Sequence, residues 1–225
     1  MIGENSFLAL FLDAPLQSWG YKSKFDYRTS AAYPTRSAVI GMFCAALGVD
    51  RRNETRLADL HELKMTVYIF YPSPRLVDYH TVGGGWDKRK YPMNVVRKAD
   101  GKPGNTVVTH REYLMDTKFG IVIYTHSSLA EELAQALRYP EWGVWLGRKS
   151  CIPATPIVQG IFEGQTAAVE RLSELAGCSP FRAVVEVENF EEGTDTIQDS
   201  PMSFHDREFA PRRIALQEKD EIADI

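Results

Sequence analysis

Short apolar runs along the chain predict three buried strands. The runs 7–12, 65–71 and 119–124 are apolar and aromatic and are too short to form helices. The second run ends at a Pro-Ser-Pro sequence, which is typical of a strand that stops at a turn. These three segments are the candidate core of a sheet.

Two longer segments, 35–47 and 128–137, have the length and the capping residues that are typical of helices. Thr35 and Ser128 are their predicted N-caps, because a hydroxyl at that position accepts a hydrogen bond from a free N–H of the first turn. The predicted order of elements is therefore strand, helix, strand, strand, helix.

This order predicts an α+β fold with a ferredoxin-like core, built from a split βαβ unit. A long insertion, residues 77–113, precedes the third predicted strand. The last third of the chain is more acidic, and residues 181–187 alternate like a half-exposed strand. We therefore predict two parts, a ferredoxin-like domain over residues 1–150 and a small C-terminal β-rich lobe over residues 151–225.

The start of the first predicted helix has the residues of an anion site. Thr35 and Ser37 provide two hydroxyls, and Arg36 lies between them. A cation is unfavourable at the positive end of the helix dipole by about 0.3–1 kcal/mol. A bound phosphate reverses that sign, because free N–H groups, hydroxyls and a guanidinium all favour it. The alternative is that Arg36 points into solvent and Thr35 only caps the helix.

The insertion is strongly basic in a chain that is acidic overall. Between residues 86 and 111 it has seven cations and two carboxylates, a local charge of +5, whereas the whole chain carries −4. Trp86 and Tyr91 add stacking faces. This composition favours contact with single-stranded RNA or DNA, and the alternative is a merely soluble loop. The seven cations are Lys88, Arg89, Lys90, Arg97, Lys98, Lys102 and Arg111.

The bulk composition limits the function classes. A net charge of −4 over 225 residues argues against a general nucleic-acid binder, so a nucleic-acid site must be a local patch. Three widely spaced cysteines give neither a disulfide framework nor a zinc signature, and we expect no metal and no cofactor. The longest apolar run, 38–49, is too short to span a bilayer. We expect a cytoplasmic protein without a membrane partner.

Two further motifs contain candidate chemistry. The turn at 146–151 combines a glycine, two cations and a hydroxyl, as anion nests do, although it also fits an ordinary surface turn. The segments 78–81 and 110–113 each contain His and Tyr and flank the insertion. Metal-free ribonucleases use these residue types as acid and base, although a structural or surface imidazole is more common.

Several motifs in register resemble the CasD subunits of type I-E Cascade, the CRISPR-associated surveillance complex. These subunits are repeat-associated mysterious proteins (RAMPs), whose ferredoxin-like core is also described as RRM-like. The resemblance runs in order from about residue 7 to 213. It rests on the segments 15–20, 33–37, 47–48, 78–81, 111–114 and 146–151 with Gly41, and more weakly on 200–202 and 207–210.

The resemblance implies a non-catalytic subunit that binds and caps the 5′ handle of the crRNA. A β-hairpin thumb, residues 82–109, would fold over the RNA. The implied protein partners are the adjacent Cascade backbone subunit and the large subunit, and target DNA would be contacted indirectly through the complex. The candidate RNA-binding residues are Gln17, Trp19, Thr35, Arg36, Ser37, Tyr79, His80, Lys88, Arg89, Lys90, Arg97, Lys98, Arg111, Tyr113, Gly147, Arg148, Lys149 and Ser150.

The rival interpretation is an enzyme. Type I-C relatives of these subunits cleave precursor crRNA without a metal. Here His80 or His110, with Tyr79, Tyr113 and Arg111, could supply the base, the acid and the cation that such cleavage needs. The type I-E-like motifs favour the non-catalytic role, because a separate subunit cuts the RNA there. The basic insertion disfavours a third interpretation, a protein-only scaffold.

Overall fold

The computed structural model describes residues 5–83, 101, 104 and 106–222. This part of the chain forms a mixed α/β fold, mostly sheet, with five helices. The strands are β1 (Asn5–Gln17), β2 (Trp19–Gly20), β3 (Tyr27–Arg28), β4 (Ser30–Ala31), β5 (Lys64–Ile69), β6 (Arg75–Val82), β7 (Val107–His126), β8 (Val158–Phe162), β9 (Arg182–Glu186), β10 (Asp195–Ser203) and β11 (Glu208–Glu218). The helices are α1 (Arg36–Ala46), α2 (Glu54–His61), α3 (Ser127–Arg138), α4 (Gln165–Ala176) and α5 (Lys219–Ile222).

One large sheet organises the described residues. Its main path runs β10-β11-β9-β5-β7-β1-β8, and β3 and β6 also pair with β7. Along this path, every pair of neighbouring strands that includes β1, β5 or β7 is antiparallel. The two longest partners, β1 and β7, pair from Asn5 opposite His126 to Gln17 opposite Leu114. A separate two-stranded ladder joins β2 to β4.

Alternation along β1 produces two cores on opposite faces of the sheet. Leu8, Leu10 and Leu12 pack with residues of α1, α2 and α3. Ala9 and Phe11 point to the other face, where they pack with residues of α4. Successive side chains of a strand point to opposite faces, so a strand buried on both sides reads as the continuous apolar run seen in the sequence.

The predicted elements are found, with longer strands than expected. The run 119–124 is only the last part of β7, a 20-residue strand. Thr35 caps α1 as predicted, and its side chain accepts the Ala38 N–H. The predicted cap at Ser128 is wrong, because α3 begins at Ser127. Since β7 continues into α3 without a loop, the pairing of β7 with β1 fixes where the helix starts.

The predicted division at residue 150 lies in the segment between α3 and β8, and it stays a prediction, although one sheet contains strands from both sides of it. The later strand β8 pairs with β1, and β9, β10 and β11 extend the sheet beyond β5. The predicted strand at 181–187 is β9. The insertion begins and ends as an antiparallel ladder between β6 and β7, from Arg75 opposite Leu114 to Val82 opposite Val107. None of the described helices is long and apolar enough to cross a membrane.

Candidate nucleic-acid interface

A groove of about 680 Å³ lies beside α1, with lining residues from Thr35 to Ala45. Three arginines line it, and no carboxylate does so among the described residues. We call it the arginine groove, after Arg28, Arg111 and Arg148. Its other polar side chains are hydroxyls, which are neutral donors and acceptors. They belong to Ser18, Ser23, Thr29, Thr35 and Ser37.

Arg148 is held in place by neutral partners. Its Nη1 donates to the Glu112 carbonyl at 2.7 Å, and its Nη2 donates to the Arg28 carbonyl at 2.8 Å. The guanidinium also lies over the Tyr113 ring, 4.6 Å from the centroid. Carbonyl oxygens orient a guanidinium without cancelling its charge. Arg148 therefore remains a fixed positive charge beside the groove.

Gly147 joins two sequence motifs that lie far apart in the chain. Its φ is +103°, and a Cβ there would lie 1.7 Å from the Ser18 carbonyl oxygen. The Ser18 N–H donates to the Leu146 carbonyl at 3.1 Å. Only glycine allows this approach. The end of β1 and the 146–151 turn are therefore pinned together, which places Arg148 at the groove.

Arg28 and Arg111 lie side by side because β3 pairs in parallel with β7. The Arg111 Nε donates to Thr109 Oγ1 at 3.0 Å. The salt bridges among the described residues include none for Arg28, Arg111 or Arg148. Sequence analysis missed Arg28, because a two-residue strand in a polar loop has no hydrophobic period to reveal it.

In the structure, the environment of Arg36 differs from the one predicted for a phosphate-binding residue. The residue is 3% exposed, and its backbone N–H donates to the Asp199 carboxylate at 2.8 Å. Its Nη1 donates to Glu186 at 2.8 Å, and its Nη2 donates to the His61 carbonyl at 2.5 Å. The anion at the start of α1 is thus a side chain of the same protein. Burial lowers the pKa of Arg36, and the nearby Glu186 opposes that shift.

Arg212 completes what we call the buried ion network, which consists of Arg36, Glu186, Asp199 and Arg212. The Arg212 Nε and Nη2 donate to the two oxygens of Asp199 at 2.6 and 3.1 Å. Both side chains are almost fully buried, 5% and 2% exposed. This bidentate pair ties β10 and β11 to the start of α1, so we do not retain Arg36 as an RNA contact.

Three other predicted RNA contacts form the frame of the groove instead. Gln17 is fully buried, and its Nε2 donates to the Leu12 and Thr117 carbonyls at 3.1 and 2.9 Å. Trp19 belongs to the core, and Tyr113 is buried beneath Arg148. Motif membership alone does not separate such supporting residues from surface residues.

The remaining described candidates differ in exposure. Thr35 is buried, and its Oγ1 accepts the Ala38 N–H, so it serves as the cap of α1. Ser37 is partly exposed at the groove, with its Oγ 3.2 Å from the Thr35 Oγ1. Lys149 and Ser150 are exposed directly after Arg148, with the Lys149 Nζ 5.5 Å from the centre of the Trp145 ring. Five predicted contacts of the insertion lie outside the described residues, namely Lys88, Arg89, Lys90, Arg97 and Lys98.

Tyr79 and His80 lie on opposite faces of the β6–β7 ladder. Tyr79 is opposite His110, and His80 is opposite Thr109. Tyr27 stacks on the His110 ring with centroids 5.0 Å apart, and Tyr79 meets that ring edge-on at 5.4 Å. Tyr27 and Tyr79 are each 64% exposed. The two histidines therefore do not converge on one site. The described residues contain no cluster of side chains suited to a metal ion.

The fold and the groove define a mixed α/β protein with a cationic surface cleft between sheet and helix. The chain belongs to the family described as CRISPR-associated protein (Cas_Cas5), whose model matches residues 7–215. It is 28% identical to "CRISPR system Cascade subunit CasD" of Escherichia coli (strain K12), across 92% of this chain and 93% of that protein.

Two solved structures are also similar to the chain. A chain of a "CRISPR RNA-guided surveillance complex" is 31% identical to this chain, and the two structures superpose with a TM-score of 0.76. The match covers 95% of this chain and 90% of that one. A second, described as "Crystal structure of Cas protein", shares 30% identity with a TM-score of 0.70 and covers 96% of both chains.

Proposed function

We propose that the chain is a non-catalytic subunit of a type I-E Cascade complex that binds and caps the 5′ handle of the crRNA. The observation that carries this proposal is the arginine groove. Three arginines without described carboxylate partners lie in a chain of the Cas5 family with a net charge of −4. Guanidinium groups bind phosphate through paired, charge-assisted hydrogen bonds.

The lining of the groove suits a single strand of RNA. The hydroxyl of Ser37 can bond phosphate or ribose oxygens, and Trp145 supplies an aromatic face at the same groove. Sequence-specific RNA binding generally uses unpaired bases that stack on such faces. The retained contacts are Ser37, Arg111, Gly147, Arg148, Lys149 and Ser150, with Arg28 added from the structure, whereas Thr35 is buried and caps α1.

The proposal also assigns the surrounding architecture. It takes the central part of the sheet as a ferredoxin-like core, and the order β5-β7-β1-β8 with α1 and α3 supports this assignment. The β6–β7 ladder would be the base of the thumb, residues 82–109, with Tyr79 and His80 beside the RNA. The adjacent backbone subunit and the large subunit would bind other faces, and target DNA would be reached through the complex. The names of the relatives support this assembly, and the site of action would be the cytoplasm.

The nuclease alternative has less support. An acid and a base must reach the same phosphodiester to cleave it. His80 and His110 lie on opposite faces of the ladder, and the His110 ring is stacked against Tyr27. A cleavage site could therefore use only one of the two histidines, and Tyr113, one of the groups considered beside them, is buried beneath Arg148.

The test is retention of a labelled repeat RNA by the purified full chain. We expect bound, uncut RNA, and we expect Arg148→Ala to weaken retention. Arg171→Ala is the matched control, because Arg171 is exposed on α4 and paired with Glu174. Site-specific cleavage that disappears in His80→Ala or His110→Ala would contradict the proposal and favour the nuclease.

A further inference from the structure

A second pocket, of about 520 Å³, continues the arginine groove along α1. The two share four lining residues, Gly41, Ala45, Phe204 and Phe209. We call the second one the end pocket, because it lies at the C-terminal end of α1. The residues 207–210, which resemble the family only weakly, contribute to its wall. The shared lining makes one continuous cleft from Arg148 to the end of the helix.

One wall of the end pocket is Trp142, which is 47% exposed. Its backbone N–H donates to the Ala45 carbonyl at 3.1 Å, and the Glu141 N–H donates to the Ala46 carbonyl at 2.9 Å. These bonds satisfy free carbonyls at the end of α1. The main chain of Trp142 is therefore anchored to the end of α1, and its side chain remains half exposed to solvent.

The opposite wall is the turn between β10 and β11. Phe204 packs over Gly41, where a Cβ would lie 3.8 Å from the ring. The turn holds Arg207 at φ +61°, a left-handed conformation that non-glycine residues adopt infrequently. The Ser203 Oγ accepts the Asp206 N–H at 3.1 Å and supports this turn. The turn thus presents Arg207 at the mouth of the pocket.

The charge of the end pocket matches that of the arginine groove. Arg51 and Arg207 are exposed at its edge, and the salt bridges among the described residues include neither. Asp50 is the one carboxylate in its described lining, and it accepts the Arg52 N–H at 2.9 Å. The continuous cleft therefore has five arginines and a single carboxylate in its described lining.

We propose that the end pocket binds a further nucleotide of the same single-stranded RNA. This inference rests on the proposed function of the arginine groove. Trp142 stacks on a base, and Arg51 and Arg207 bind the flanking phosphates. Helix α1 has 11 residues and is about 16 Å long, and the two pockets lie along it and share lining residues, so a nucleotide in the end pocket would directly follow those in the groove. The strand runs beside the helix from one arginine cluster to the other.

RNA explains this surface better than a protein partner does. Exposed Trp and Arg are also enriched at protein interfaces, so residue type alone does not separate the two occupants. Here Arg51 and Arg207 have no described carboxylate partner, and the pocket is continuous with the arginine groove. Stacking faces combined with a basic channel are typical of single-strand binding.

The experiment measures the affinity of the full-length wild-type protein and of two variants, each for the complete handle RNA and for shortened RNAs. The variants are Trp142→Ala and Arg207→Gly, the latter chosen because glycine suits the left-handed backbone. Wild-type protein should lose affinity by about tenfold when the handle RNA is shortened from one of its two ends. Each variant should bind the full-length RNA more weakly by a similar factor and should be insensitive to that same shortening.

Controls separate this inference from the proposed function. Tyr139→Ala removes an aromatic ring that is 75% exposed and lines neither pocket, and it should bind like wild type. Arg148→Ala should weaken binding of every RNA length. Suppose that Arg148→Ala weakens binding as expected. The end pocket then does not bind RNA if its variants bind like wild type, or if they lose the same affinity for every RNA length. If wild-type protein binds no RNA, both proposals fail. Variants that bind RNA normally but no longer join the complex would make the pocket a protein contact.

Discussion

The chain contains two arginine clusters that differ in the kind of partner they have. In the buried ion network, Arg36 and Arg212 meet the carboxylates of Glu186 and Asp199. In the arginine groove, Arg148 is bonded to two carbonyl oxygens. Both arrangements fix guanidinium groups in a defined position. Only the first one cancels their charge.

This difference shows how a local fold can separate structural arginines from ligand-binding ones. A carboxylate neutralises a guanidinium and makes burial tolerable, so the pair holds elements of the fold together. A carbonyl only orients the guanidinium, so the positive charge remains available to an anion in the groove. The residue type is the same in both clusters. The partner that the fold supplies decides the role.

The largest expected effect is on the buried ion network. Asp199→Ala should lower the free energy of unfolding by about 3–5 kcal/mol, because it leaves a buried guanidinium without its carboxylate. Urea denaturation would measure this loss. Glu218→Ala removes the exposed partner of Arg182 and should cost no more than about 1 kcal/mol. Equal losses in the two variants would contradict the structural role of the network.

The comparison becomes sharper when RNA binding and stability are both measured for one variant from each cluster. Arg148→Ala should weaken RNA binding by about 1–3 kcal/mol, because a charge-assisted bond to phosphate is lost. Arg36→Ala should lower stability, whereas its folded fraction should bind RNA like wild type. Filter binding below the unfolding transition measures the RNA affinity of both variants, and urea denaturation measures their stability. Weaker RNA binding by folded Arg36→Ala would return that residue to the RNA site.

Salt dependence gives a smaller, graded test. Each neutralised phosphate contributes about 0.7 to the slope of log affinity against log salt for single strands. Arg28→Ala, Arg111→Ala and Arg148→Ala should each reduce that slope by about this amount. Arg213→Ala is a control, because Arg213 lies outside the groove and its guanidinium stacks on Phe190. An unchanged slope in the groove variants would show that their charges do not contact phosphate.

The sequence predicts the local features of the site well and its distant pairings poorly. Thr35 as a cap and Gly147 in a tight turn follow from local chemistry, and both are found. The partner of the Arg36 N–H is Asp199, 163 residues away, and no periodicity links them. Trp19 was a candidate stacking face for RNA, although aromatic residues are more often part of the core, and the structure buries its indole fully.

The fold shows the same division between local and distant information. Apolar runs locate the strands β1, β5 and β7, since burial on two faces leaves a continuous hydrophobic signal. Their final lengths depend on pairing, and β7 extends to 20 residues because β1, β5 and β6 all pair with it. The two-residue strand β3 has no signal of its own. It exists only because β7 supplies a partner, and Arg28 enters the groove with it.

The smallest predicted effect concerns the thiol of Cys44, which burial keeps in its neutral, protonated form. Burial raises the pKa of the Cys44 thiol on α1 from 9.0 to about 11, and the nearby Arg56 opposes this only in part. The folded state therefore holds the thiol proton more tightly than the unfolded chain does. The stabilisation is complete below pH 9.0 and is lost as pH rises towards 11. Cys44→Ala should show a shallower decline in unfolding free energy across this window than wild type. Parallel declines would mean that the thiol ionises as readily in the folded protein as in the unfolded one.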